Sequence, residues 1–194
     1  IAFAARGSAS EPLRLYWVRP DGTGCEPVPD VATPYDDENG ILIHDFDPAF
    51  APDGTLVFAS TRGNLDRARY GYAGPTLTPA RLEPNANLYV LDPAAGSLRQ
   101  LTYLLDQELQ PAFMGDGHVI YTAEKRAEDF HVLALRRHLL DGGDYHPLYA
   151  SRTSLGFDSA TEVVELVDQR FAFIGAPLGT ADGAGSLEIF DRSI

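Results

Sequence analysis

The chain has 194 residues, ample for a hydrophobic core, with one domain as the default. A net charge of −13 argues against binding a nucleic-acid backbone, which needs a basic face. No apolar run is long enough for a membrane-spanning helix, and 18 glycines with 14 prolines suit a turn-rich all-β protein.

Taken in chain order, IAFAA (1–5) is a short apolar run with Phe3 at its centre. LRLYWVR (13–19) alternates, setting Leu13, Leu15 and Trp17 on one face and Arg14, Tyr16 and Val18 on the other. Trp17 is then a residue that packs between sheets. Pro20-Asp21-Gly22 is a turn, and Cys25, the only cysteine, reads as a small strand residue outside any disulfide or Cys-x-x-Cys pair. Asp36-Asp37-Glu38 has the makings of a Ca²⁺ loop but not the alternate spacing of an EF-hand, so a solvated loop is expected.

FDPAFAPDGTLVFAS (46–60) is an apolar run, an Asp-Gly turn and a second apolar run, which is a β-hairpin. It returns at 109–123 as LQPAFMGDGHVIYTA. A third copy places Asp168-Gln169 between ATEVVEL and RFAFIG. Asp53-Gly54 and Asp116-Gly117 predict type I′ turns, and Gln169 predicts a looser third hairpin. The second strands align on Phe3, Phe58, Tyr121 and Phe173, at spacings of 55, 63 and 52 residues.

Each copy continues into a third strand, at LRLYWVR, ANLYVLD (86–92), DFHVLAL (129–135) and SLEIFD (186–191). A fourth is clearest at SLRQLT (97–102), and ALRRHLL reads as a strand running into a turn. A unit of four strands recurring at this period is a β-propeller blade. The expected fold is all-β, a partial propeller with blades at about 1–40, 41–104, 105–154 and 155–194, two of them full and two partial. The register predicts a segment of a larger propeller, or, for a complete chain, association edge to edge.

FDPAFAPDGTLVFASTRGN followed by NLYVLDPAAGSLRQLT resembles the TolB-type propeller repeat. The matching positions are Pro48, Phe50, Pro52, Asp53, Gly54, Ser60, Arg62, Gly63, Leu88, Tyr89, Val90, Leu101 and Thr102. The next copy keeps Pro111, Phe113, Asp116, Gly117 and Tyr121, with Met114-Gly115 where Ser-Pro stands in the family. LRQLTYLLDQELQPAFMGDGHVIYT is also similar to the propeller part of the hydrazine-synthase α-subunit group, whose enzymes carry c-type haem. This chain has no Cys-x-x-Cys-His, so no haem attachment is implied. The resemblance implies a periplasmic or secreted setting and two alternatives for function. One is a non-enzymatic scaffold that recognises a protein or another ligand in the cell envelope. The other is a propeller domain of a larger enzyme, a hydrolase or haem oxidoreductase, whose catalytic residues lie outside this chain.

In such a propeller the first strand of each blade lines the central channel. The residues just before it here are His44, Asp45 and Asp47, then Asp106 and Glu108, then Asp158. They predict an acidic rim suited to a cation such as Ca²⁺ or a basic segment of a partner, unless each acid caps its own turn. The insertion at 65–86 carries Arg67, Arg69, Tyr70, Tyr72 and Arg81, residue types that anchor protein interfaces; packing over a neighbouring blade is the alternative. His138 and His146 flank LLDGGDY and could approach with Asp141 or Asp144 as zinc ligands, or stand as polar strand ends. No Gly-x-Ser-x-Gly elbow or P-loop occurs, and GTADGAG (179–185) reads as a flexible loop. No catalytic residue is assigned.

Overall fold

The structure, a computed structural model, describes residues 1–29, 43–62, 86–104, 106–127, 130–149, 156–177, 180 and 184–191, and every regular element among them is a β-strand. The chain divides into two compact units, Ile1–Leu105 and Asp106–Ile194.

In the first unit, β1 (Ala2–Ala5), β2 (Arg14–Trp17) and β3 (Glu26–Pro27) form an antiparallel sheet in that order. Cys25 lies exposed just before β3 rather than within a strand. β4 (Asp45–Phe50), β5 (Leu56–Ser60), β6 (Asn87–Asp92) and β7 (Ser97–Gln100) form a four-stranded meander. All of β5 is buried, as a continuous apolar run requires of a strand covered on both faces. Its Leu56 and Phe58 join Leu15, Val28, Tyr89 and Leu91 in one core cluster, with Ala2, Ala4 and Trp17 packed against it. Trp17 thus packs against the core cluster that also holds Leu15, its neighbour on the same face of LRLYWVR.

In the second unit, β8 (Glu108–Phe113), β9 (Val119–Ala127), β10 (Phe130–His138) and β11 (His146–Tyr149) are antiparallel neighbours. So are β12 (Ser159–Glu165), β13 (Phe171–Ala176) and β14 (Ser186–Phe190). A single parallel bridge, Leu133↔Ser159, joins the two sets into one seven-stranded sheet. The core here is Met114, Ile120, Leu135, Ala160, Val163, Phe171 and Phe173. Each of these except Ala160 contributes about 1.5–3 kcal/mol through burial.

The hairpin turns correct the expected type I′ geometry. Ala51 N–H donates to the Thr55 carbonyl and Gly54 N–H to the Ala51 carbonyl, with Gly54 at φ +89° while Asp53 stays at negative φ. That is a type I turn closed by one left-handed residue, a three-residue loop. Asp53 adds a side-chain bond, accepting from Thr55 N–H at 2.9 Å. The same bonds recur at 19–23, 114–118, 139–143 and 166–170, with Asp21, Asp116, Asp141 and Asp168 in the aspartate's place. The 166–170 turn is no looser: Gln169 adopts φ +66° and its bonds measure 2.7 and 2.9 Å.

A second device repeats in the strand before each of three turns. β4, β8 and β12 slip register at Phe46/Ala49, Leu109/Ala112 and Thr161/Val164, and the first inserted residue is left-handed each time: Asp47 (φ 50°), Gln110 (φ 54°) and Glu162 (φ 54°). Such β-bulges bend a strand and re-aim its side chains.

Candidate functional site

β5 and β6 pair in register from Leu56↔Leu91 to Ser60↔Asn87, so the long connection between them leaves and rejoins the sheet at one place. Arg62 braces its foot. Its Nη2 donates to both oxygens of Asp45 at 2.6 and 2.5 Å, and its Nε to Ser60 Oγ at 2.9 Å. The guanidinium lies 5.5 Å from the Phe58 ring and 5.4 Å from that of Tyr89, while Tyr89 Oη donates to the Arg62 carbonyl. Burial pushes the Asp45 carboxyl up and the Arg62 charge pulls it down; burial also pushes the Tyr89 hydroxyl up. Arg67, Arg69, Tyr70, Tyr72 and Arg81, which this foot carries, lie outside the described residues, as do Asp36-Asp37-Glu38 and most of GTADGAG.

The candidate rim residues take different positions. Asp45, Asp47 and Glu108 lie within their strands rather than before them. Asp45 is fully buried on Arg62. His44 ties two sheets of the first unit together: its Nδ1 accepts from Leu13 N–H at 3.2 Å, and its own N–H donates to Thr61 Oγ1 at 2.9 Å. Asp47 occupies the β4 bulge. Its counterparts Gln110 and Glu162 meet, Gln110 Nε2 donating to Glu162 Oε1 at 2.9 Å. Asp158 is exposed, and its carbonyl accepts from Leu133 N–H. Glu108 is fully buried beside Tyr121, whose hydroxyl is pushed up by burial and then by the Glu108 charge. Arg136 stacks on Tyr145, 4.8 Å from ring centre, and donates to its hydroxyl. Of the candidate acids in the second unit, then, Glu108 lies inside the protein, Asp158 on its surface, and Asp106 is half-buried.

The two histidines that flank LLDGGDY do not converge. His138 is buried against the Tyr121 ring, at 5.1 Å, while the His146 side chain is largely exposed. His118 takes the other place instead. Its Nδ1 lies 2.8 Å from Asp116 Oδ1 and its Nε2 2.7 Å from Asp144 Oδ2, and Asp144 Oδ1 is 2.8 Å from His146 Nε2. His118 thus links Asp116 of the 114–118 turn to Asp144 beside the 139–143 turn. The repeat alignment holds its one clue: His118 stands where the other turns have Thr55 and Arg170. Among the described residues, no group of three or more His, Cys, Asp or Glu side chains is placed to hold a metal ion.

A cleft of about 940 Å³ opens between the 114–118 and 166–170 turns, with Gly115, Asp116, Glu165, Asp168, Arg170 and Phe171 on its walls. Glu165 Oε2 accepts from Gly115 N–H at 2.6 Å and fixes its width.

No family model and no curated protein matches the chain in sequence. Solved structures match it in fold. The Kuenenia stuttgartiensis hydrazine synthase aligns with 98% of this chain at TM-score 0.71 and 14% identity. A putative TolB from Agrobacterium tumefaciens aligns with 97% at TM-score 0.62 and 12% identity, and TolB from Acinetobacter baumannii with 99% at 0.59 and 14%. At these identities the likeness is one of fold: all-β, antiparallel sheets of the TolB β-propeller kind. The chain spans 29%, 59% and 40% of those three chains respectively.

Proposed function

We propose that this chain is a non-enzymatic binding scaffold of the cell envelope, periplasmic or secreted, which recognises a protein through the insertion between β5 and β6. The observation that carries this is the braced foot of that insertion. A buried strand pair, locked by Arg62, Asp45 and Tyr89, gives a long connection rich in arginine and tyrosine a rigid mount. Arg67, Arg69, Tyr70 and Tyr72 are its contact residues, with His44, Asp47 and Asp158 as secondary candidates for a cation or a basic segment; Asp45 and Glu108 are buried and drop out. The described residues contain no helix long and apolar enough to cross a membrane. In this reading the sheets are four-stranded blades, two full and two partial, within a larger propeller.

The test is capture from a native envelope extract by the immobilised chain, beside the double variant Arg69→Ala, Tyr72→Ala. A partner retained by the parent and lost by the variant supports the reading. Equal capture by both removes the insertion as the recognition element.

The extent of the match to hydrazine synthase favours a second reading. The chain corresponds to less than a third of that enzyme's chain, as a domain beside a catalytic part would. A reading frame that continues into a hydrolase or haem-attachment motif would favour this over the scaffold.

A further inference from the structure

Two hairpins of the second unit, β8–β9 and β12–β13, end side by side, and the cleft of about 940 Å³ lies between their turns. That volume is in the range of ligand-binding clefts. Both walls belong to one joined sheet and face each other, and the 2.6 Å bond from Gly115 N–H to Glu165 Oε2 sets the distance between them. The opening is therefore built by these two hairpins.

Val167 stands at its lip. In the 166–170 turn, Leu166 N–H donates to the Arg170 carbonyl and Gln169 N–H to the Leu166 carbonyl, which puts Val167 at the first central position. Proline suits that position, as at Pro20 and Pro52, whereas a stiff β-branched side chain suits a strand. Nothing inside the protein uses this valine: its side chain is fully exposed and lines the cleft. A residue that breaks a local rule without a packing gain is a candidate for contact with something else.

Around Val167 the cleft is acidic. Asp116, Glu165, Asp168 and Asp191 line it against one arginine, Arg170, which is committed to Asp168 at 2.7 Å. Asp116 also meets His118, and Glu165 gives one oxygen to Gly115 N–H, but a carboxylate accepts more than one bond. An apolar point set among carboxylates complements a cationic side chain next to an apolar one, and it repels an acidic partner. A metal ion is the poorer occupant. It would leave Val167 uncovered, and among the described residues no three acidic or histidine side chains are placed to hold one.

We propose that this cleft docks an extended basic segment of a partner protein, with a lysine or arginine between the carboxylates and an apolar side chain against Val167.

The experiment is fluorescence anisotropy of a labelled peptide of alternating lysine and valine, titrated with the full chain up to about 1 mM. The lysine peptide should bind, and the same peptide with glutamate for lysine should not. Val167→Ser removes the apolar point. Glu165→Gln removes a charge while keeping an acceptor for Gly115 N–H. Each should weaken binding about fivefold or more, the scale of one lost contact. Asp53→Asn takes an equal charge from an exposed turn of the first unit and should change binding less than about twofold. A parent that does not bind the lysine peptide overturns the proposal, as does an unchanged affinity for Val167→Ser. So does a loss in Asp53→Asn as large as in Glu165→Gln, which would show attraction by net charge alone. Asp168→Asn repeats the charge test should Glu165→Gln lose the parent's circular dichroism.

Discussion

Gln110 and Glu162 stand at the same step of β8 and β12, both forced into left-handed backbone by a bulge, and their side chains hydrogen-bond each other. Gln110 Oε1 also accepts from Glu162 N–H at 3.2 Å and from the buried Thr122 hydroxyl at 2.9 Å. The strained step in β8 is thus secured by the strained step in β12. Gln110→Ala removes the acceptor for both donors, whereas Glu162→Ala removes one exposed contact. The first should cost about 1–2 kcal/mol and the second about 0.5 kcal/mol. Urea titration of both variants and the double variant gives the coupling, and equal losses from the two single changes would contradict the assignment.

The 166–170 turn is the one copy in which a side chain occupies the left-handed position. Left-handed backbone costs an ordinary residue about 1–2 kcal/mol, a cost glycine escapes. Gln169→Gly should therefore raise stability by about 1 kcal/mol. Gly54→Ala should lower it by about as much, since a methyl group at Gly54 meets nothing within 4 Å and only the φ of +89° opposes it. Thermal melts of the two variants should shift in opposite directions. A Gln169→Gly melt at or below the parent's would mean that the glutamine side chain makes up for its backbone.

Arg62 and Asp45 form a buried pair, and removing one partner leaves the other charge stranded. Arg62→Ala should cost about 3–5 kcal/mol, and Ser60→Ala, which deletes one neutral acceptor, about 1 kcal/mol. The only tryptophan, Trp17, packs on the same core cluster, so its fluorescence follows unfolding of this unit. A loss below about 1 kcal/mol for Arg62→Ala would show the pair to be solvated rather than buried.

The hairpins were legible because their grammar is local: an apolar run, Asp-Gly, an apolar run. The turn type was not, because Asp-Gly serves both the two-residue and the three-residue loop. Pro20 and Pro52 suit the first central position of a type I turn, but Gly115, Leu140 and Val167 hold the same place in turns with the same bonds, so that position does not announce the type. The bulges hide in the sequence as an ordinary strand, although Asp47, Gln110 and Glu162 share a column of the repeat. The candidate acids were picked for charge and place in that repeat. What sequence alone withholds is burial: Asp45 faces Arg62 because Arg62 folds back over Phe58, and Glu108 faces Tyr121 because β8 and β9 are neighbours.

The turn aspartates give the chain an acid limit. Thr23 and Thr55 N–H groups hold Asp21 and Asp53 below the usual carboxylate value, and the Arg170 side chain does so for Asp168. Asp144 is held low first by the His118 bond, then by Arg137. At Asp116 burial acts upward, but the His118 contacts outweigh it and the net shift is down. A carboxyl whose folded value is depressed adds stability that is complete above its unfolded value, about 3.9, and is lost as pH falls through the folded one. These depressed carboxyls should therefore make the thermal midpoint fall progressively below about pH 5. Asp144→Asn should lower the midpoint at neutral pH and flatten its decline in acid, because one of the titrating groups is gone. A parent midpoint unchanged between about pH 5 and pH 3 would show that these turn bonds do not depend on charge.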